Sequence, residues 1–246
     1  MNKIGSYDFV AEPFHVDFNG KLTLGVLGNQ SLNCAGFHAT ERGFGIASLN
    51  EENYTWVLSR LAIELDDMPN QYEKFTVRTW VEDVYRLFTN RNFAYINKDG
   101  KAIGYARSIW AMINVNTRKP ADLLSMHGGD IVDYICDEPC PIEKPSRIKA
   151  STQDVAITTL TVKYSDIDIN GHVNSIRYIE HILDLFPIEV YKTMHIRRFE
   201  IAYITESYYG DELSFFKEKT DSNEYGIEVK KNAGEITCRA KVNFAF

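Results

Sequence analysis

Apolar and polar positions alternate with a period of two over several stretches of the chain, as in strands with one buried face. Phe75, Val77 and Val81 point one way and Arg78 and Glu82 the other. The run from Lys101 to Val115 behaves alike, and Asp99-Gly100 ahead of it has hairpin chemistry. Further on, Phe199 to Ile204 and Glu212 to Lys217 read as strands, with turns at Asp221-Ser222-Asn223 and Asn232-Ala233-Gly234. One stretch has a helical period instead. After Asn170-Gly171, the apolar residues Val173, Ile176, Ile179, Leu183 and Phe186 recur at steps of three and four until Pro187, which predicts an amphipathic helix of about four turns. From Asn116 to Asp154, Pro, Gly and charged residues show no sustained period. Residues 126–154 therefore read as a linker between a first unit, 1–125, and a second, 155–246.

The two units repeat one another. HVDFNGKL (His15 to Leu22) aligns with DIDINGHV (Asp166 to Val173) at an offset of 151, and Arg60 to Val77 aligns with Arg198 to Phe215 at an offset of 138. The first copy thus carries 13 more residues between helix and strands. Each copy reads as strand, helix, then antiparallel strands. A helix followed by such a meander buries its apolar stripe only if the sheet curls around it, and two units joined edge to edge hide strand edges. The predicted class is α+β: a tandem (double) hotdog, two antiparallel sheets joined edge to edge, each wrapped around a long helix. The copies differ in chemistry. His172 stands where the first copy has Lys21, and Glu206 where it has Met68. That asymmetry predicts a single active site, with the first unit shaping a binding cavity.

Composition narrows the class. The formal charge of −7 over 246 residues argues against a nucleic-acid partner. No apolar run approaches the ~20 residues needed to span a bilayer. The N-terminal MNKIGSYDFV lacks the pattern of a secretory signal and is too short and acidic for a transit peptide. Cys34, Cys136, Cys140 and Cys238 have neither zinc-ligand nor redox spacing and read as reduced thiols. A cytoplasmic protein without metal or cofactor is expected. Asp166, Asp168, His172 and His181 are set aside as a metal set, because Asp166 precedes a turn and His181 lies more than two helical turns from His172. A Ser-His-Asp triad through Ser165 or Ser207 lacks the Gly-x-Ser-x-Gly elbow. His15, His38, His127, His181 and His195 read as structural or exposed.

SDIDINGHVNSIRYIEHILD (Ser165 to Asp184) resembles the second-half motif of the plant and bacterial acyl-ACP thioesterases. Tyr203-x-x-Glu206 resembles that family's Y-x-x-E, and Trp110 to Lys119 resembles its first-half W-x-M-x-N-x-x-T-R-R signature. The similarity runs from about Tyr7 to the C-terminus. It implies that Asp168, Asn170, His172 and Glu206 are catalytic. Ser207 follows the glutamate where the plant proteins commonly have Cys, so a thiol nucleophile there cannot be required.

Thioester hydrolysis needs an activated nucleophile, donors for the oxyanion and a dry acyl slot. Asp168 and Asn170 alternate with Ile167 and Ile169, so an extended segment would point both the same way. Amides near Gly171 to Val173, at the helix start, are expected to be free to polarise a carbonyl. Gly171, Val173 and Asn174 are accordingly the expected substrate-binding residues, Gly171 because it lacks a Cβ. Glu206 is assigned as the base that activates water, assisted by His172, with Asn170 orienting water or carbonyl and Asp168 holding His172 or Asn170. Asp168 as a carboxylate nucleophile giving an anhydride remains open. The implied partner is an acyl carrier protein bearing a fatty acyl chain, docked on Arg118-Lys119 and Arg197-Arg198, with Lys144, Arg147 and Lys149 as further candidates. The chain would act as a monomer, an internal pseudo-dimer, or as a homodimer. An acyl-CoA thioesterase, a hotdog hydratase and a non-catalytic acyl-thioester sensor are the alternatives. A sensor would be expected to carry a basic helix-turn-helix, and none is visible.

Overall fold

The computed structural model describes residues 2–232 and 234–246, so Ala233 of the second predicted turn and Met1 of the N-terminal segment lie outside the described residues. The chain divides into two compact units, Met1–Leu61 with Leu65–Lys144, and Ala62–Glu64 with Pro145–Phe246. The first contains β1 (Gly5–Val10), α1 (Leu24–Thr40), α2 (Ile46–Glu51), most of β2 (Tyr54–Leu65), β3 (Lys74–Val84), β4 (Thr89–Asn97) and β5 (Ala102–Asn114). The second contains β6 (Thr158–Thr161), α3 (Ser175–Leu183), α4 (Ile188–Thr193), β7 (His195–Tyr203), β8 (Glu212–Asp221), β9 (Glu224–Lys231) and β10 (Glu235–Ala245). Strand order is β1-β3-β4-β5-β2 in one and β6-β8-β9-β10-β7 in the other, the same order once the repeat is applied.

The alternation behind this is visible in β3. Phe75, Val77, Thr79 and Val81 are buried on one face. Trp80 is buried on the other, against Ala94, Cys140 and Ile142. Both faces of that sheet therefore need cover, and part of the expected linker supplies it. Ile131 packs with Phe44, Leu49 and Met112, while Arg107 donates to the carbonyls of Cys140 (2.7 Å) and Ile142 (2.8 Å). Trp80 Nε1 donates to Glu138 O at 2.8 Å. Residues 126–144 are thus packed onto the first unit rather than strung between units, and the division falls at Lys144/Pro145.

The helices depart from expectation in opposite directions. α3 has nine residues, capped by the Asn174 side chain accepting from Ile176 N–H at 2.8 Å, and it ends at Leu183 before tight turns carry the chain to Phe186. It is therefore shorter than the predicted four turns, because Phe186 is drawn into an aromatic cluster with Tyr225 and Phe244 rather than onto the helix face. α1 has 17 residues, with Thr23 as its N-cap. Its buried face mixes Leu24, Leu27, Cys34 and Ala35 with Gln30, Ser31 and His38, which blurs the apolar period that would announce it.

Candidate functional site

The segment between β6 and α3 is pinned first by Asp166. Its carboxylate accepts the Lys163 N–H at 2.7 Å, and His181 Nε2 lies 2.9 Å from Asp166 Oδ1. Asp166 and His181 are therefore paired with each other, a structural role for this histidine. A tight turn follows. Asp168 N–H donates to His172 O (2.9 Å), Gly171 N–H to Asp168 O (3.0 Å) and Asn170 N–H to Asp168 Oδ1 (2.8 Å). Gly171 has φ +79°, a conformation that glycine adopts without the Cβ penalty.

Two expectations fail here. The segment is a turn, so Asp168 and Asn170 do not share one strand face; Ile169 projects at the tip, 97% exposed. The amides of Gly171, Val173 and Asn174 are not free either, because they donate to the carbonyls of Asp168, Ser207 and Asp166. The helix begins later, and these residues close the hairpin that leads into it.

The first unit contains the same turn. Asn19 N–H donates to Asp17 Oδ1 (2.8 Å), Gly20 N–H to Asp17 O (2.9 Å) and Leu22 N–H to Pro69 O (2.9 Å). Asp-x-Asn-Gly is thus turn scaffolding in both units. What differs is the next side chain. Lys21 Nζ pairs with Asp67 Oδ1 at 2.8 Å and reaches Met68 O at 3.2 Å, whereas His172 Nδ1 lies 3.4 Å from Glu206 Oε1.

Glu206 lies three residues beyond the end of β7, in the loop to β8 and not on a strand. Its position is set by backbone: Ile204 N–H donates to Thr237 O (2.8 Å), Lys231 Nζ donates to Glu206 O (2.5 Å), and Val173 N–H donates to Ser207 O (2.8 Å). That last bond ties the histidine loop to the glutamate loop. The His172 and Glu206 side chains are 24% and 31% exposed, enough to be reached by a substrate and sheltered enough for their interaction to count. Tyr203 braces the site from behind, its hydroxyl donating to Ser175 O at 2.8 Å.

Sequence reading overlooked Tyr208. Its hydroxyl donates to Glu206 Oε2 at 3.2 Å, and its ring meets His172 edge-on, 5.0 Å between centroids at 89°. The first copy has Asn70 at this place, so the same comparison that picked out His172 and Glu206 carries the signal. A carboxylate between an imidazole and a phenol, partly open to solvent, has the makings of a general base.

Ser207 is fully buried and its hydroxyl has no hydrogen-bond partner; the Tyr178 hydroxyl, close enough to feel it, is also out of bonding geometry. A nucleophile cannot act from there. Ser207→Ala is expected to leave turnover within about threefold of the wild type and stability within about 1 kcal/mol, since it removes an unmet polar group. Steady-state rates and a denaturant melt check both.

The expected docking arginines divide. Arg118 and Lys119 are exposed in the turn after β5. Arg198 is consumed internally: Nη1 donates to Glu64 Oε2 and Nε to Glu200 Oε1, both at 2.8 Å, and Arg197 Nη2 donates to Glu64 Oε1 at 3.2 Å. Sequence could not separate the two kinds because their acidic partners lie up to 134 residues away.

Residues 7–126 match the acyl-ACP thioesterase N-terminal domain and residues 149–245 the acyl-ACP thioesterase C-terminal domain. The chain is similar to the crystal structure of an acyl-ACP thioesterase from Bacteroides thetaiotaomicron, 75% identical with a TM-score of 0.94, covering 99% of this chain and 98% of that one. A 12:0-ACP thioesterase from Umbellularia californica shares the fold at 20% identity, TM-score 0.86, covering 100% of this chain and 98% of that one. The palmitoyl-acyl carrier protein thioesterase of Gossypium hirsutum is 27% identical over 203 residues, 80% of this chain and 48% of that protein. The chain spans about half the length of the curated plant relatives it matches.

Proposed function

Because the chain belongs to the acyl-ACP thioesterase family, we propose that it hydrolyses the thioester of fatty acyl-ACP, releasing free fatty acid and ending chain synthesis. The observation that carries this reading is the Glu206–His172 pair at 3.4 Å, present in one unit and replaced by Lys21 and Met68 in the other. Glu206 takes a proton from water as the oxygen attacks the thioester carbonyl. The tetrahedral oxyanion then collapses, the carbon–sulfur bond breaks, and the departing thiolate takes up the proton, with His172 aligning the carboxylate.

Donors for the oxyanion are available at the turn. The Asn170 side chain is exposed at the tip and makes no hydrogen bond among the described residues. The His172 N–H likewise has no partner there, although its counterpart Lys21 N–H is bonded to Asp17 Oδ1 at 3.1 Å. Losing one such donor typically costs roughly 3–4 kcal/mol of transition-state stabilisation. The water route is favoured over an anhydride on Asp168, because Asp168 makes the same turn-closing bond as Asp17 does in a unit without the pair.

Tyr208 acts as a positioning residue, holding the glutamate oxygen that His172 does not. Tyr208→Phe is expected to lower kcat about 3–10-fold with little change in KM, since the phenol orients the carboxylate without touching the substrate. An unaltered kcat, or a loss confined to KM, would remove Tyr208 from the mechanism.

Fatty acyl-ACP, fatty acyl-CoA and enoyl thioesters supplied in parallel test the reaction itself. Thiol release from the carrier-bound substrate supports the reading; hydration without thiol release sinks it. Arg118, Lys119, Arg147 and Lys149, all exposed, are the candidates for docking the acidic carrier, and the protein would act in the cytoplasm as a monomer or homodimer. No described helix is long and apolar enough to cross a membrane.

A further inference from the structure

In the first unit, away from the His172–Glu206 pair, Arg91 on β4 is only 8% exposed and has no carboxylate partner among the described residues. Its Nη1 donates to Thr79 Oγ1 (3.2 Å) and meets His38 Nδ1 at 3.0 Å. Both partners are uncharged. Thr79 donates its own proton to Asn92 O at 3.0 Å, so its oxygen is the acceptor. His38 is fully buried, and burial together with the nearby Arg91 and Arg42 cations pushes it down to about 3, leaving a neutral ring whose Nδ1 accepts. The weak acids nearest the guanidinium are the Tyr7 phenol, raised by burial, and the Cys34 thiol, pushed up by burial to about 12; neither supplies a negative charge at neutral pH.

The unmet groups are all donors. Arg91 Nε and Nη2 make no hydrogen bond, and His38 Nε2 is buried without a partner, the Lys3 carbonyl near the ring being out of bonding geometry. Arg42 adds a second buried guanidinium. It donates to His38 O (2.9 Å) and Asn2 O (2.6 Å), and it touches the exposed Glu41 at 3.2 Å, but its Nε has no partner. A cleft of about 370 Å³ lined by Asn2, Gly5, Tyr7, Glu41 and Arg42 reaches the Arg42 end of this corner; Arg91 and His38 lie behind its lining, and the Glu41 carboxylate on its wall accepts from the Tyr7 hydroxyl at 2.9 Å. Gly5 lies directly over the imidazole: a Cβ there would stand 2.6 Å from His38 Cδ2.

The second unit resolves the same corner differently. Val81 pairs with Arg91 and Lys219 with Tyr225, so the offset of 138 between Val81 and Lys219 puts Tyr225 at the Arg91 position. Tyr225 completes an apolar cluster with Phe186 and Phe244, at 5.1 and 6.3 Å. One copy packs aromatic rings where the other keeps a buried cation and spare N–H groups. A buried charge left without a counter-ion is costly, and an acceptor-only anion would satisfy both the charge and the donors.

We propose that the corner formed by Arg91, His38 and Arg42 in the first unit is a binding site for a small oxyanion, of carboxylate or phosphate type. It is independent of the hydrolytic reading. Thermal unfolding is measured at fixed ionic strength in chloride, with inorganic phosphate or hexanoate substituted, for the wild type and Arg91→Gln. At an anion concentration about five times its Kd, the wild-type Tm rises by roughly 2–4 °C and saturates, while Arg91→Gln does not respond. In chloride alone, Arg91→Gln melts no lower than the wild type, because it removes an uncompensated charge. A response to phosphate assigns the site to an inorganic anion, and a response to hexanoate alone to an organic carboxylate. Absence of both responses, or responses that persist in Arg91→Gln, overturns the proposal. Calorimetric titration of the wild type with both anions settles the case if the variant fails to fold; no heat with either rejects the site.

Discussion

Glu206→Gln is expected to lower turnover of acyl-ACP by about 10²–10⁴-fold while the protein stays folded, since the amide keeps the shape of the carboxylate and loses its basicity. Stability should change little, because the side chain is partly exposed and its fixed neighbours, the Lys231 ammonium and the Val173 amide, bind backbone carbonyls that the substitution leaves in place. His172→Ala should fall into the same range. Residues acting as a unit are strongly non-additive, so the double variant should be hardly slower than either single one. Thiol release across the four proteins gives the cycle directly. If the two losses multiply, His172 and Glu206 do not serve one step; if Glu206→Gln turns over normally, the base lies elsewhere.

The second large effect concerns stability. Arg198→Met should destabilise the protein by ~3 kcal/mol, roughly 6–12 °C in Tm for a chain of this length. The arginine bridges Glu64 and Glu200, and Glu200 is 2% exposed. Lys241 at 3.4 Å and the Ser146 amide and hydroxyl at 2.7 and 2.8 Å still hold Glu200, which keeps the loss near the low end for a broken buried pair. Burial alone would raise the Glu200 carboxyl, but its bonds to Arg198 and Ser146 more than offset this and hold it below its ordinary 4.5. A carboxyl depressed by folding stabilises the protein fully above its unfolded value and loses that contribution as pH falls through the folded one. The wild type should therefore weaken as pH falls below about 4.5, and Arg198→Met, with its Glu200 carboxyl less depressed, should lose less over the same range, so that the two curves converge in acid. Melts from pH 3 to 7 decide it; parallel curves for the two proteins would show that Arg198 does not hold Glu200 ionised.

Duplication was legible because it lies in the order of residues. Asp17 and Asp168 close identical turns, Gly20 and Gly171 take the same positive φ, and Leu22 and Val173 donate to corresponding carbonyls. The residues that broke the repeat, His172 and Glu206, were legible for the same reason. Periodicity was a poorer guide to helices: it foresaw α3, whose buried face is apolar, and missed α1, whose buried face carries Gln30, Ser31 and His38.

From its sequence alone the protein's fold class, its repeat and the two positions, 172 and 206, at which the copies differ could be derived, because strand alternation and duplicated motifs are local patterns. Only the tertiary structure decided which groups are spent and which remain available. It gave the amides of Gly171, Val173 and Asn174 to carbonyls, turned Arg198 inward, set Tyr208 on the glutamate and set Arg91 against the uncharged Thr79 and His38. Those outcomes depend on partners far apart along the chain, and a hydrogen bond or an ion pair is fixed by distance in space, which no local pattern encodes.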